Sequence, residues 1–198
     1  MRKFALIIAA TLALSSLAGC GSSPKERFYT LSTGTAPDLR ADAGAAYTVA
    51  IGPVAVPDIV DRPQFVLRTG ANEVMVAEQA RWAEPLKNEI PRVVADNLAQ
   101  LLTGARVFAY PQDATLGANY RVTIDVQRFD SKLGDAVSIE ALWTIRPAKG
   151  APKIGRTLAR ETAAGAGYDA LVVAHGRALA TVSRDIAEAI RGYAAASR

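Results

Sequence analysis

The chain of 198 residues contains one cysteine, one histidine, two tryptophans and two methionines. A single thiol cannot close an intramolecular disulfide. One cysteine with one histidine also leaves no donor set at zinc-ligand spacing. The main apolar run near the start, Phe4 to Leu14, is shorter than the roughly 20 residues a bilayer-spanning helix requires. There is no block of like charge and no internal repeat. The formal net charge is only +4, and lysines and arginines are not gathered into the basic stripe that marks nucleic-acid binding. Half of the chain is hydrophobic, which indicates a globular protein with a substantial core.

The N-terminus gives the lone thiol a meaning. Met1-Arg2-Lys3 is a short basic start, Phe4 to Leu14 is apolar, and Ser15, Ser16, Ala18 and Gly19 are small. Basic, apolar and small-residue regions in that order define a secretory signal peptide. Leu17-Ala18-Gly19-Cys20 resembles the lipobox of bacterial lipoproteins. The resemblance implies cleavage before Cys20, acylation of its sulfur and its new amine, and anchoring by lipid. Three chains at about 0.8 kcal/mol per buried CH₂ make such an anchor effectively permanent. A nucleophilic role for Cys20 would need a neighbouring group to lower its pKa within a folded site, and Gly21-Ser22-Ser23 provides none. Gly21, rather than aspartate, after the cysteine points to the periplasmic side of the outer membrane instead of retention at the inner membrane. Removal of residues 1–19 leaves 179 residues and takes two of the 23 basic residues and none of the 19 acidic ones, a balance of +2.

Three segments follow: a signal peptide at 1–19; a lipidated tether with a short strand and flexible loop at 20–46; and a single domain at 47–198. Alternation predicts strands at Arg27–Leu31, Tyr47–Val56, Gln64–Thr69, Glu73–Ala77, Arg106–Tyr110, Tyr120–Phe129, Ala136–Arg146 and Ile154–Thr162. Pro53 should confine its strand to an edge or break it. Trp82, Leu86, Ile90, Val93, Val94, Leu98, Leu101 and Leu102 recur at helical spacing and predict a helix over Arg81–Leu102, kinked or restarted at Pro91. A second helix is predicted to run from an Asp169 cap to about Tyr193. The order of elements predicts an α+β fold: a two-layer sandwich with two main helices on one face of a mostly antiparallel sheet.

Catalytic constellations are scarce. His175 shares a helical stripe with Leu171, Ala178 and Val182, where a lone histidine is usually a packed or boundary residue. No Ser-His-Asp set can be completed around it. Gly150-Ala-Pro-Lys-Ile-Gly155-Arg156-Thr157 nearly matches the phosphate-binding loop. Its lysine is replaced by arginine, however, and no helix follows to hold a phosphate. Gly165 and Gly167 read as a loop before the last helix. Neither nucleotide nor other cofactor is expected, nor is an enzyme.

A family pattern spans nearly all of the mature chain. It comprises "VAIGPVAVPDIVDRPQFVLRTGANEV", "RWAEPLKNEIPRVVADNLAQLL", the early "RFYTL" and the terminal "YDALVVAHGRALATVSRDIAEAI". These segments resemble the ABC-transport auxiliary lipoproteins, the family of paraquat-inducible protein C. The resemblance implies a non-catalytic partner of an MCE-domain conduit, with an ABC permease and ATPase in the same system. Its role would be phospholipid or other lipid transport between membranes. A homo-oligomer is compatible with it. The motif residues Asp61, Arg62, Pro63, Arg68 and Trp82 become candidate partner-binding residues. Each also has an ordinary reading: Arg62 and Arg68 as turn ion pairs or solvated surface, Pro63 as a turn fixture, Trp82 as a core anchor. The competing function is a lipid carrier or chaperone, which predicts an apolar cavity of about 300–1,000 Å³.

Overall fold

A computed structural model of the chain describes residues 25–34, 47–109 and 117–196. The signal peptide, Cys20 and most of the loop predicted after Leu31 lie outside the described residues. The described residues form eight strands: β1 (Arg27–Tyr29), β2 (Tyr47–Ala55), β3 (Gln64–Arg68), β4 (Val74–Trp82), β5 (Ala105–Ala109), β6 (Tyr120–Ser131), β7 (Ala136–Pro147) and β8 (Lys153–Thr162). Two helices are described, α1 (Leu86–Leu101) between β4 and β5, and α2 (Tyr168–Ala196) after β8.

The sheet is mixed, which corrects the expectation of a mostly antiparallel one. Among the described residues, four ladders are parallel (β1–β4, β2–β5, β2–β6, β3–β6) and three antiparallel (β3–β4, β6–β7, β7–β8). The antiparallel ladders join strands linked by short turns. The parallel ones join strands distant in sequence. After α1 the chain re-enters the sheet beside β2 and runs in its direction; β3, β4 and α1 together supply the long connection that a parallel pair needs.

β6 organises the sheet. One edge pairs with β7 along its length. The other pairs with β2 over Tyr120–Asp125 and touches β3 only at Ser131, opposite Leu67. The sheet therefore forks beside β6, with β2–β5 on one branch and β3–β4–β1 on the other. Pro53 falls at a register shift between Ile51 and Val54, just past the last residue paired to β5. Its missing donor thus faces no ladder that needs one.

Alternation set the faces correctly in the long hairpin. Val137, Ile139, Ala141, Trp143 and Ile145 are all buried. With Val49, Ile51, Val122 and Ile124 they form the inner face that both helices cover, through Leu86, Ile90, Leu98, Leu171, Leu179 and Ile186 among others. Asn97 and Ser183 meet between the helices, with an Nδ2-to-Oγ distance of 3.3 Å.

Helix α1 starts at Leu86, five residues later than its periodicity predicts. Arg81 and Trp82 instead end β4, opposite Phe28 and Tyr29 of β1. Glu84 precedes Pro85, and a residue before proline disfavours helical geometry. Pro91 lies inside α1 and the helix continues through it. The carbonyl that would have accepted its bond belongs to Lys87, an exposed residue, so water can take that place. Asp169 lies in the first turn of α2, where its charge complements the helix dipole.

The residues that mimicked a phosphate loop have packing roles. Gly155, Arg156 and Thr157 lie within β8. Gly155 faces Trp143 across the ladder, and its missing Cβ is the space occupied by the indole. Thr157 Oγ accepts a hydrogen bond from the Trp143 indole at 3.0 Å and donates to Asp185 Oδ2 at 2.6 Å.

Candidate functional site

The candidate site lies where the free end of the β3–β4 hairpin, the start of α1 and the loop after β2 converge. In that loop, the amides of Val60 and Asp61 donate to the Pro57 carbonyl at 2.9 and 3.2 Å, which tightens the turn. The loop is then tied to the sheet, because the Trp82 amide donates to the Pro63 carbonyl at 2.6 Å. The next amide, Ala83, donates to the Tyr29 carbonyl of β1 at 2.8 Å. The end of β4 thus joins the loop on one side and β1 on the other.

These walls enclose an open groove of about 490 Å³, lined by Phe28, Asp61, Arg62, Pro63, Arg81, Trp82, Ala83, Glu84, Pro85 and Lys87. Four of the five sequence-selected partner residues are therefore brought together. Ion pairs ring the groove: Lys87 to Asp61 at 3.4 Å, Arg81 to Glu26 at 2.8 Å and Arg92 to Glu84 at 2.9 Å. These pairs are substantially exposed, so each contributes little to stability. Arg62 is exposed and makes no ion pair or hydrogen bond among the described residues. Phe28 is 62% exposed at the rim.

Trp82 is a core residue as well as a groove residue. Only 4% exposed, it stacks on Phe65 with ring centroids 4.0 Å apart and an interplanar angle of 21°. It meets Phe129 and His175 edge-on, at 6.1 Å each. Its anchor reading holds, at a strand end rather than a helix entrance.

Arg68 stands apart. It pairs with Asp130 at 3.0 Å and donates to the Ala71 carbonyl at 3.1 Å. It lines a smaller cleft of about 180 Å³ with Ile59, Val66, Val74 and Asp130, at the fork of the sheet. The loop 57–63 contributes to both hollows, presenting Ile59 to one and Asp61 to the other.

His175 is fully buried, parallel to Phe129 at 4.0 Å, with Nε2 2.8 Å from Ser131 Oγ. Burial pushes its pKa down to about 3, so the ring is neutral near pH 7. This is a packing pair, not a dyad in a cleft. Glu89 is likewise fully buried. It accepts the Leu31 amide at 3.1 Å, with an Arg92 nitrogen at 3.5 Å. Desolvation is the largest influence on its carboxyl and raises its pKa; the Leu31 hydrogen bond and Arg92 oppose the rise. Among the described residues no group of His, Cys, Asp and Glu is placed to hold a metal ion. No described helix is long and apolar enough to cross a membrane.

Sequence reasoning missed Phe28, Arg81, Glu84 and Lys87. Phe28 had a readable signal, since it alternates with the inward Tyr29 in "RFYTL" and so faces outward. The others reach the groove only because β4 ends where α1 begins.

The fold belongs to a known class. The family model for the ABC-type transport auxiliary lipoprotein component matches residues 29–187. The chain belongs to that family and is thereby a lipoprotein auxiliary component of ABC-type transport, associated with such transport systems and with the membranes of the cell envelope. No curated protein matches the sequence significantly. Two solved structures share the fold. One, described as an uncharacterized protein, has 22% identity and a TM-score of 0.70 over 84% of this chain and 99% of its own. The other is a Xanthomonas campestris protein of the DUF330 family, with 18% identity and a TM-score of 0.62 over 87% of this chain and 100% of its own.

Proposed function

We propose that the protein is a non-catalytic adaptor, anchored through acylated Cys20 on the periplasmic side of the outer membrane, that docks the MCE-domain conduit of an ABC-type lipid transport system. The observation that carries the reading is the convergence of Asp61, Arg62, Pro63 and Trp82 on one groove. A partner side chain entering it meets an apolar floor at Trp82 and Pro85, an aromatic rim at Phe28 and the unpaired cation Arg62. Such a mixture of aromatic anchor and arginine is typical of energetically dominant contacts. The loop from Pro57 to Pro63 would be the ridge that the partner grips. Arg68, held by Asp130, would support the far flank of that ridge rather than bind directly.

The alternative, a lipid carrier, draws support from the groove's volume, which falls within the range of small-molecule sites. Its lining argues the other way. Asp61, Arg62, Arg81, Glu84 and Lys87 all border it, and an acyl chain there would desolvate charges without pairing them. Copurification of the lipidated full chain with the MCE-domain protein decides between the two readings. Docking predicts capture that Arg62→Glu abolishes. Acyl chains bound at unit stoichiometry in the purified domain, without capture, would favour the carrier.

A further inference from the structure

The chain between β1 and the first undescribed loop, Thr30 to Gly34, lies across both helices. Leu31 is buried in the shared core, and its amide ends on the buried Glu89 carboxylate of α1. Ser32 crosses α2 at Gly176, where a Cβ would stand 2.7 Å from the Ser32 carbonyl oxygen. Gly34 needs the same closeness, since a Cβ there would lie 2.7 Å from the Gly176 carbonyl oxygen. A glycine inside a helix costs roughly 1 kcal/mol relative to alanine. At this position it gives the crossing strap its seat. The opposite end of the strap is β1, which supplies Phe28 to the groove rim and the Tyr29 carbonyl that fixes Ala83 in the groove wall.

We infer that the groove is a composite site: Glu89 and Gly176 are positioning residues that seat the strap, and the seated strap holds the β1 wall of the groove. This rests on the docking reading for its consequence but not for its geometry. If the strap builds one wall, partner binding and strap seating favour each other by the same factor, because binding couplings are reciprocal. At its other end β1, rather than the strap, leads toward Cys20. With five residues from Cys20 to Lys25, an extended chain reaches at most about 18 Å. The segment that would carry the anchor is therefore the one that shapes the docking site.

The test is hydrogen exchange on the lipidated full chain in detergent, with partner capture measured in parallel. Gly176→Ala should favour α2 itself while displacing the strap. Glu89→Leu removes the acceptor, and Glu89→Gln retains it. The expected result is exchange at residues 28–33 and at Ala83 that is about ten- to a hundredfold faster in Gly176→Ala and Glu89→Leu, the size expected for losing a hydrogen bond to a charged group. The β6–β7 hairpin should be unchanged, Glu89→Gln should resemble wild type, and partner capture should fall in step with strap release. Unchanged exchange in Gly176→Ala would overturn the seat. Faster strap exchange with Ala83 still protected would overturn the link to the groove wall, whether or not any partner is captured. Strap release with undiminished capture would overturn the coupling.

Discussion

Acid should destabilise this protein through His175, by an amount the structure sets. The imidazole is fully buried, sealed by Phe129 and Trp82, and its pKa falls from an unfolded value of 6.5 to about 3. The folded state therefore binds fewer protons than the unfolded state throughout that interval. Stability from the neutral ring is fully present above about pH 6.5 and is lost as pH falls toward 3. Between pH 7 and 4.5, linkage with those two values gives a loss of about 2.5 kcal/mol. Glu89 acts in the opposite direction, because its raised pKa makes the folded state take up a proton as pH falls. The comparison must therefore be between proteins that both carry Glu89. His175→Gln keeps a hydrogen-bonding group near Ser131 and does not titrate. It will be less stable at pH 7, since the stack on Phe129 is lost, but its stability should fall by about 2.5 kcal/mol less than that of wild type on going to pH 4.5. Urea unfolding of the two proteins, followed by tryptophan fluorescence at several pH values, measures this directly. Parallel pH profiles would refute the reasoning, by showing that the ring is solvated or already charged in the folded state.

Other substitutions test the packing and the site. Gly155→Val places a branched side chain where the Trp143 indole lies and should cost about 1–3 kcal/mol, with a shift in tryptophan emission; an unchanged unfolding midpoint would contradict the assignment. Thr157→Val leaves the Trp143 indole N–H without its acceptor and should cost about 1–3 kcal/mol in urea unfolding. Arg68→Ala breaks a partly exposed pair with Asp130; it should change stability by no more than about 1 kcal/mol and weaken partner capture less than Arg62→Glu.

The extent to which the sequence could be read depended on how far apart the interacting residues lie. The β6–β7 hairpin was legible to within two residues at its strand ends, because a short turn and the alternation from Tyr120 to Val126 and along β7 specify pairing and face; the register shift after Val126 was not. The parallel ladders were not, because β2 finds β5 and β6 only after α1 has carried the chain across the sheet. Trp82 was drawn into the helix because Trp82, Leu86 and Ile90 keep helical spacing across a strand end. The proline at 85 was the competing signal, and pairing with β1 keeps Arg81 and Trp82 in β4. Asp61, Arg62 and Pro63 were found by resemblance, whereas Arg81 and Lys87 are ordinary charges until the fold places them together. Gly176 had no visible reason in the sequence, since the strap that needs it comes from more than a hundred residues earlier.

The docking claim is tested most directly by placing a photo-crosslinking residue at position 62 of the lipidated chain in intact envelopes, with position 158, an exposed leucine on β8, as the comparison. Docking at the groove predicts a crosslink to the MCE-domain protein from position 62, diminished when Lys87 and Arg81 are reversed in charge, and none from position 158. A crosslink from position 158 with none from position 62 would contradict it.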